Sequence, residues 1–308
     1  MNYVYGPIPS RRLGKSLGIS PISKKTCNLS CVYCMLGLTD KMTNDYVSEF
    51  SVKAIINELK TVLDKFIAID VITIVGEGEP TLYEHLGDLI DQIKEITEIP
   101  VAIITNGTRF TEELVYRACL KADIVLPSID AYDKLSFKKI NRPHKILVYE
   151  EIVKALIKFS HEFSGELWLE TMICKDYNDS DEAIKSFKEL LKDIKYDKLY
   201  INSPVRPPAI ESVESTSHER LEWISKKLGG INIDILADPD FYSDITDNYQ
   251  AILSIIRRHP MNQFEISAFL KTREFSDIDR MFEDLRNNEH LQVVNYKGYD
   301  TFRFKVGE

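Results

Sequence analysis

The chain has 308 residues, 44% of them hydrophobic, and 48 acidic against 39 basic side chains leave a net charge of −9. That length can bury a sizeable core in one large domain with a small appendage, and the negative charge repels polyanions at long range, which argues against extended nucleic-acid binding. No apolar run approaches the roughly eighteen residues that span a bilayer, and the opening Met-Asn-Tyr-Val-Tyr-Gly-Pro lacks the basic and apolar regions of a signal peptide, so a cytoplasmic protein without membrane association is expected.

In chain order, short apolar runs predict strands over 17–22, 71–75, 101–105, 124–127, 167–173, 198–202 and 231–235. Amphipathic stretches predict helices between them over 52–66, 86–96, 112–120, 147–159, 181–191 and 218–228. Such alternation builds βα units around a parallel sheet, here an α/β fold of the partial (βα)6 barrel type over residues 1–240. From 237 to 248 turn-forming residues read as a linker. Helices over 250–258, 264–270 and 276–286 and two terminal strands, 291–295 and 301–305, then predict a winged-helix-like domain over 241–308.

Within this frame the run Lys-Thr-Cys27-Asn-Leu-Ser-Cys31-Val-Tyr-Cys34-Met places three thiols in eight residues. The spacing C-x3-C-x2-C suits three irons of a [4Fe–4S] cluster and leaves the fourth iron without a protein ligand. A structural zinc site takes four ligands, commonly as two separated pairs, yet the nearest histidine in sequence is His85. A disulfide would strand an odd thiol. Cys119 and Cys174 are 55 residues apart, too few and too dispersed for a second cluster.

The cysteine run with Tyr33 before its last thiol resembles the signature of the radical S-adenosylmethionine (radical SAM) superfamily. Further stretches, Tyr5-Gly-Pro-Ile-Pro-Ser-Arg-Arg-Leu-Gly-Lys-Ser-Leu-Gly18, Gly76-Glu-Gly-Glu-Pro-Thr-Leu82, Thr105-Asn-Gly107, Pro127-Ser-Ile-Asp-Ala131 and Asn202-Ser-Pro-Val-Arg-Pro-Pro208, are similar to the branch of iron–sulfur oxidoreductases grouped with the tRNA wyosine synthases. The resemblance covers roughly residues 1–240. It implies a barrel and a [4Fe–4S] cluster on Cys27, Cys31 and Cys34. It also implies S-adenosylmethionine as cofactor, reductive cleavage of that cofactor, hydrogen abstraction from a substrate, and flavodoxin or ferredoxin as reductant. The extra cysteines that archaeal-type wyosine synthases use for a second cluster are missing, as is the cysteine-rich tail of peptide-modifying relatives.

The motifs follow predicted strands, where parallel α/β barrels build their active sites. Tyr33 is expected over the adenine side of the loop. Gly78 allows close backbone approach. Glu79, rather than Glu77, which replaces the first of the family's paired glycines, is expected to accept from the methionyl amine. Asn106, Ser128 and Asp130 supply groups suited to ribose hydroxyls. Glu170 lies inside an apolar run, where an unpaired charge is costly, so it meets either a ligand or an ion-pair partner. Arg142, Asn202 and Arg206 are candidate substrate contacts, or rim salt bridges in the case of the arginines. The basic side chains Arg11, Arg12, Lys15, Lys24 and Lys25 near the cysteine loop contact the cofactor's carboxylate or an RNA, or are buried in salt bridges.

The substrate stays open among a small molecule, a nucleotide and a peptide or protein. The third tail helix carries Asp277, Asp279, Glu283 and Asp284 against Arg280 and Arg286, the wrong balance for phosphate contacts. This argues against duplex DNA as a partner and against an iron–sulfur sensor that regulates transcription.

Overall fold

A computed structural model describes residues 3–65, 68–233, 241–243 and 245–305. Its centre is a row of eight strands lying side by side in chain order: β1 (Val4–Ser10), β2 (Gly14–Ile19), β3 (Val71–Ile74), β4 (Val101–Thr105), β5 (Ile124–Pro127), β6 (Glu166–Met172), β7 (Lys198–Asn202) and β8 (Ile231–Asn232). Every neighbouring pair from β2 to β8 is parallel, and β1 closes an antiparallel hairpin on β2. The result is an α/β fold with a mostly parallel central sheet. All four residues of β3, Val-Ile-Thr-Ile, are buried, as expected of a parallel strand covered on both faces.

Among the described residues, seven α-helices connect these strands: α1 (Val52–Leu63), α2 (Leu86–Ile96), α3 (Glu113–Cys119), α4 (Lys134–Ile140), α5 (Tyr149–Glu162), α6 (Asp181–Leu191) and α7 (His218–Leu228). Ser51, Asp133, Ser180 and Ser217 cap α1, α4, α6 and α7 by accepting from a backbone N–H of the first turn. The buried stripes of the other helices pack on the sheet, with Ile55, Leu59, Leu89, Ile93, Phe159, Phe187 and Ile224 among fully buried side chains, whereas α4 packs Phe137 and Ile140 against the cysteine loop at Leu29 and Val32. Each such burial contributes about 1.5–3 kcal/mol relative to exposure.

Differences from the sequence pattern have local causes. Strand β1 contains Pro7 and Pro9 and is not among the strands predicted from the sequence. It is tolerated because it is an edge strand with an irregular register between Tyr5 and Ile8. Strand β2 stops at Ile19 because Pro21 donates no N–H. Helix α4 was not expected, and α5 runs from Tyr149 rather than from 147. The predicted ends at 66, 234–235 and 237–240 lie outside the described residues.

The tail holds α8 (Asn248–Ile256), β9 (Met261–Asn262), α9 (Gln263–Thr272), α10 (Ile278–Arg286), β10 (Leu291–Tyr296) and β11 (Tyr299–Phe304), its strands forming a separate antiparallel sheet in the order β9–β11–β10. Ile252, Met261, Ile266, Phe269, Leu285 and Phe302 give it its own core. The capping box of Asn262 and Glu265 starts α9.

Candidate functional site

Loops leaving the carboxyl ends of β2 through β7 surround a cavity of about 410 Å³. Cys27, Cys31, Tyr33 and Cys34 line it, together with Gly78, Glu79, Asn106, Ser128, Glu170, Asn202 and Arg206. The glycine of the second motif is dictated by sterics: a Cβ on Gly78 would sit 1.9 Å from the carbonyl oxygen of Thr26. The Glu79 N–H donates to that same oxygen at 3.0 Å, which draws this loop against the cysteine loop.

The three thiols are free and are met by donors. The Leu29 N–H donates to Cys27 Sγ at 3.4 Å, and Asn141 Nδ2 donates to Cys31 Sγ at 3.4 Å. The backbone N–H groups of Leu36 and Gly37, with the Lys25 charge, favour the Cys34 thiolate against the burial that pushes all three thiols up. Among the described residues, no group of three or more His, Cys, Asp or Glu side chains is placed around a single ion. A lone zinc needs every thiolate within about 2.3 Å of one point, whereas a cubane spreads three thiolates over three irons. The donor set, free thiols receiving N–H···S bonds, therefore fits a cluster.

Glu79 is 2% exposed. Its Oε1 accepts from Thr81 N at 3.0 Å, Thr81 Oγ1 at 2.6 Å and Thr105 Oγ1 at 2.6 Å, while Oε2 accepts from Asn106 N at 2.8 Å alone. Burial raises its pKa, and these donors act in the opposite direction. Glu77 pairs with Arg258 at 3.3 Å and leaves Oε1 buried with no hydrogen-bond partner. Lys25 is 4% exposed with Asp40 3.5 Å from its Nζ, and that Nζ also has no hydrogen-bond partner. Buried polar atoms are normally satisfied. A buried carboxylate oxygen and a buried ammonium that both lack hydrogen-bond partners and line one cavity fit the ammonium and carboxylate of an amino-acid zwitterion, the methionyl end of S-adenosylmethionine.

Asn106 Nδ2 donates to Asn28 Oδ1 at 2.8 Å and its Oδ1 accepts from Thr108, so the side chain ties β4 to the cysteine loop. Glu170 has found a partner within the chain. Its Oε2 pairs with Arg12 and its Oε1 accepts from Asn202 Nδ2 at 2.8 Å, while Arg11 donates to Asn202 Oδ1 at 3.0 Å. Arg206 also lines the cavity, but Glu265 of the tail takes both ends of its fork, at 2.8 and 3.0 Å, and His259 Nε2 lies 2.6 Å away.

The structure moves two expected contacts off the cavity wall. Arg142 is exposed and lines no part of the cavity, because its backbone carbonyl, not its side chain, faces the cysteine loop at Ser30. Asp130 is buried behind the wall, where its carboxylate accepts from the Tyr33 hydroxyl, from Asn141 Nδ2 at 2.9 Å and from Met172 N at 3.0 Å. Tyr33 thus has its hydroxyl directed at Asp130 rather than left for a ligand. Conversely, sequence reasoning missed Asn141, although it lies in a run singled out for its arginine. It also missed Arg258 and His259, which come to the cavity from the end of α8 with no motif to announce them.

The radical SAM superfamily model matches residues 22–187. Over 287 residues the chain is 33% identical to a UPF0026 protein of Methanocaldococcus jannaschii, covering 90% of this chain and 88% of that one. It is also 40% identical over 241 residues to a protein of Brachyspira hyodysenteriae named GTPase Obg, covering 78% of this chain and only 35% of that protein's length. In fold it resembles Streptococcus suis SuiB bound to S-adenosylmethionine, with a TM-score of 0.53 and 17% identity over 69% of this chain and 47% of that one. Among the described residues no helix is long and apolar enough to cross a membrane. With more than half of its length matched by that model, the chain belongs to the radical SAM superfamily, is an enzyme of that type with a [4Fe–4S] cluster and S-adenosylmethionine as cofactors, and groups with the UPF0026 proteins.

Proposed function

We propose that the enzyme cleaves S-adenosylmethionine reductively at one cluster, held by Cys27, Cys31 and Cys34, and abstracts hydrogen from a substrate seated in the same cavity. The observation that carries this reading is the convergence, in a space of about 410 Å³, of three donor-supported thiols with the unsatisfied Lys25 Nζ and Glu77 Oε1. Held by Cys27, Cys31 and Cys34, a reduced cluster would supply the electron for reductive cleavage of the cofactor's carbon–sulfur bond. Lys25 and Glu77 bind the carboxylate and ammonium of the methionyl end. Glu79 holds the loop through four donors and keeps Oε2 able to accept one more. Asn202 and the Arg12–Glu170 pair form the opposite wall.

Three of the arginines lining the cavity are matched by carboxylates, Arg12 by Glu170, Arg206 by Glu265 and Arg258 by Glu77, while Arg11 donates to Asn202 Oδ1 and to the Ile233 carbonyl. Near neutrality favours a small molecule or a peptide segment over a polyanion such as tRNA, which sets the function apart from the wyosine-type reaction despite the branch resemblance. We read β2 to β7 with their helices as a partial (βα)6 barrel, the tail from 241 as a winged-helix-like domain, and the reducing cytoplasm as the setting that keeps the thiols free. The test is anaerobic reconstitution followed by S-adenosylmethionine and dithionite. Close to four irons per chain and slow release of 5′-deoxyadenosine are expected, and an iron-loaded enzyme that leaves the cofactor intact would sink the proposal.

A further inference from the structure

Residues 134–148 carry five lysines and arginines, besides His144, and no acidic side chain in a chain of net charge −9. Lys134, Lys138 and Arg142 recur every fourth residue, along one face of α4 and just beyond its end, and Lys145 follows. All four are exposed, and among the described residues none of them forms an ion pair or hydrogen bond through its side chain, unlike Lys139, which donates to the Asp176 carbonyl. Between them stand the exposed apolar side chains Leu135, at 74%, and Ile146, at 62%. Asp133 and Glu150 flank the patch without entering it.

This segment is the outer support of the cysteine loop. The Val32 N–H donates to the Ile140 carbonyl at 2.9 Å, the Ser30 N–H to the Asn141 carbonyl at 2.9 Å, and the His144 N–H to the Asn28 carbonyl at 2.8 Å. Asn141 itself touches Cys31 Sγ. None of residues 134–148 lines the cavity. A partner on this face would approach the cysteine loop from its outer side, without obstructing the cavity.

We infer that the Lys134–Lys138–Arg142–Lys145 face docks an acidic one-electron carrier protein. The inference rests on the reading that Cys27, Cys31 and Cys34 hold a cluster. Such a cluster must be reduced from outside, because the remaining thiols, Cys119 and Cys174, are buried and apart. The step balances as one electron leaving an anionic flavin hydroquinone, which becomes the neutral semiquinone, and one electron gained by the oxidised cluster. Unpaired cations around an apolar centre match an acidic surface and speed encounter at low salt. Four free cations against a net charge of −9 suit such a compact partner better than an RNA, whose binding depends on many phosphate contacts.

The test uses the reconstituted holoenzyme and reduced flavodoxin, with dithionite as a small reductant that needs no docking. In Lys134→Gln/Lys138→Gln/Lys145→Gln, which spares Arg142 and its loop contact, flavodoxin affinity should fall at least tenfold. Bleaching of the cluster absorbance by flavodoxin in stopped flow should slow by a similar factor and lose its salt dependence, while bleaching by dithionite stays unchanged. Equal loss with both reductants would reassign these lysines to loop structure. An unaltered flavodoxin response, or no reduction of the wild-type cluster by flavodoxin, would overturn the inference. Loss of bulk tRNA binding without any change toward flavodoxin would overturn it in favour of a nucleic acid. Failure of dithionite to reduce the wild-type cluster would instead tell against the cluster itself.

Discussion

Arg206, four residues beyond β7, and Glu265, in the first turn of α9, form a buried two-pronged ion pair with contacts of 2.8 and 3.0 Å. The pair joins the rim of the cavity to the tail, and the Pro260 carbonyl and His259 complete the shell around the guanidinium. The tail therefore meets the catalytic unit through charge as well as through shape.

Removing one partner leaves a buried charge uncompensated, at a cost of about 3–5 kcal/mol. Glu265→Ala should accordingly lower the urea midpoint strongly, and it also unsettles the capping box with Asn262. The double variant Arg206→Met/Glu265→Leu should recover much of the loss. Denaturation of the three proteins measures this, and a Glu265→Ala protein as stable as wild type would contradict the assigned burial.

His259 should make stability depend on pH. Burial, followed by the charges of Arg206 and Arg11, holds its pKa well below the usual histidine range. The folded chain keeps it neutral while the unfolded chain binds a proton, so its contribution is present above the unfolded value near 6.5 and is lost as pH falls toward the folded one. Relative to His259→Gln, the wild type should lose up to about 1.4 kcal/mol per pH unit below 6.5. Parallel stability–pH curves for the two proteins would show that the ring is not held neutral.

Cys27→Ala, Cys31→Ala or Cys34→Ala should abolish the charge-transfer absorbance of the reconstituted cluster. Cys119→Ala and Cys174→Ala should retain it, since both thiols are buried and neither lines the cavity. Iron content per chain measures the outcome directly, and loss of iron in either of the latter variants would displace the ligand assignment.

Glu77 and Glu79 should separate by kind of effect. Glu79→Gln puts an amide where four donors converge on a carboxylate and should cost about 1–3 kcal/mol of stability through unmatched donors. Glu77→Gln also leaves Arg258 without its carboxylate partner, so its distinguishing effect is on the ligand: S-adenosylmethionine binding should weaken about tenfold, because the negative charge beside the unsatisfied Oε1 is lost. Calorimetric titration and thermal unfolding on both variants distinguish the roles, and the reverse pattern would return the amine contact to Glu79.

The three-cysteine spacing, the β-branched buried strands and the amphipathic helices are local features, so periodicity and spacing alone led from the chain to an α/β fold with one cluster loop. Gly78 too was legible, because its need for a bare Cα is written as a residue type. The roles of charged side chains were not. Asp130 and Ser128 stand two residues apart, yet one faces Tyr33 and Asn141 behind the wall while the other faces the cavity. Arg142 and Arg206 are chemically alike, yet one stands in solvent and the other is locked to Glu265. Strand β1 escaped notice because proline propensity was overridden by the freedom of an edge. Arg258 reaches Glu77 across 180 intervening positions of sequence, a proximity that no local pattern encodes. Residue types and their spacing determined the chemistry this chain can carry. Long-range packing, which sets each charge's partner and solvent exposure, decided which side chains are free to perform it.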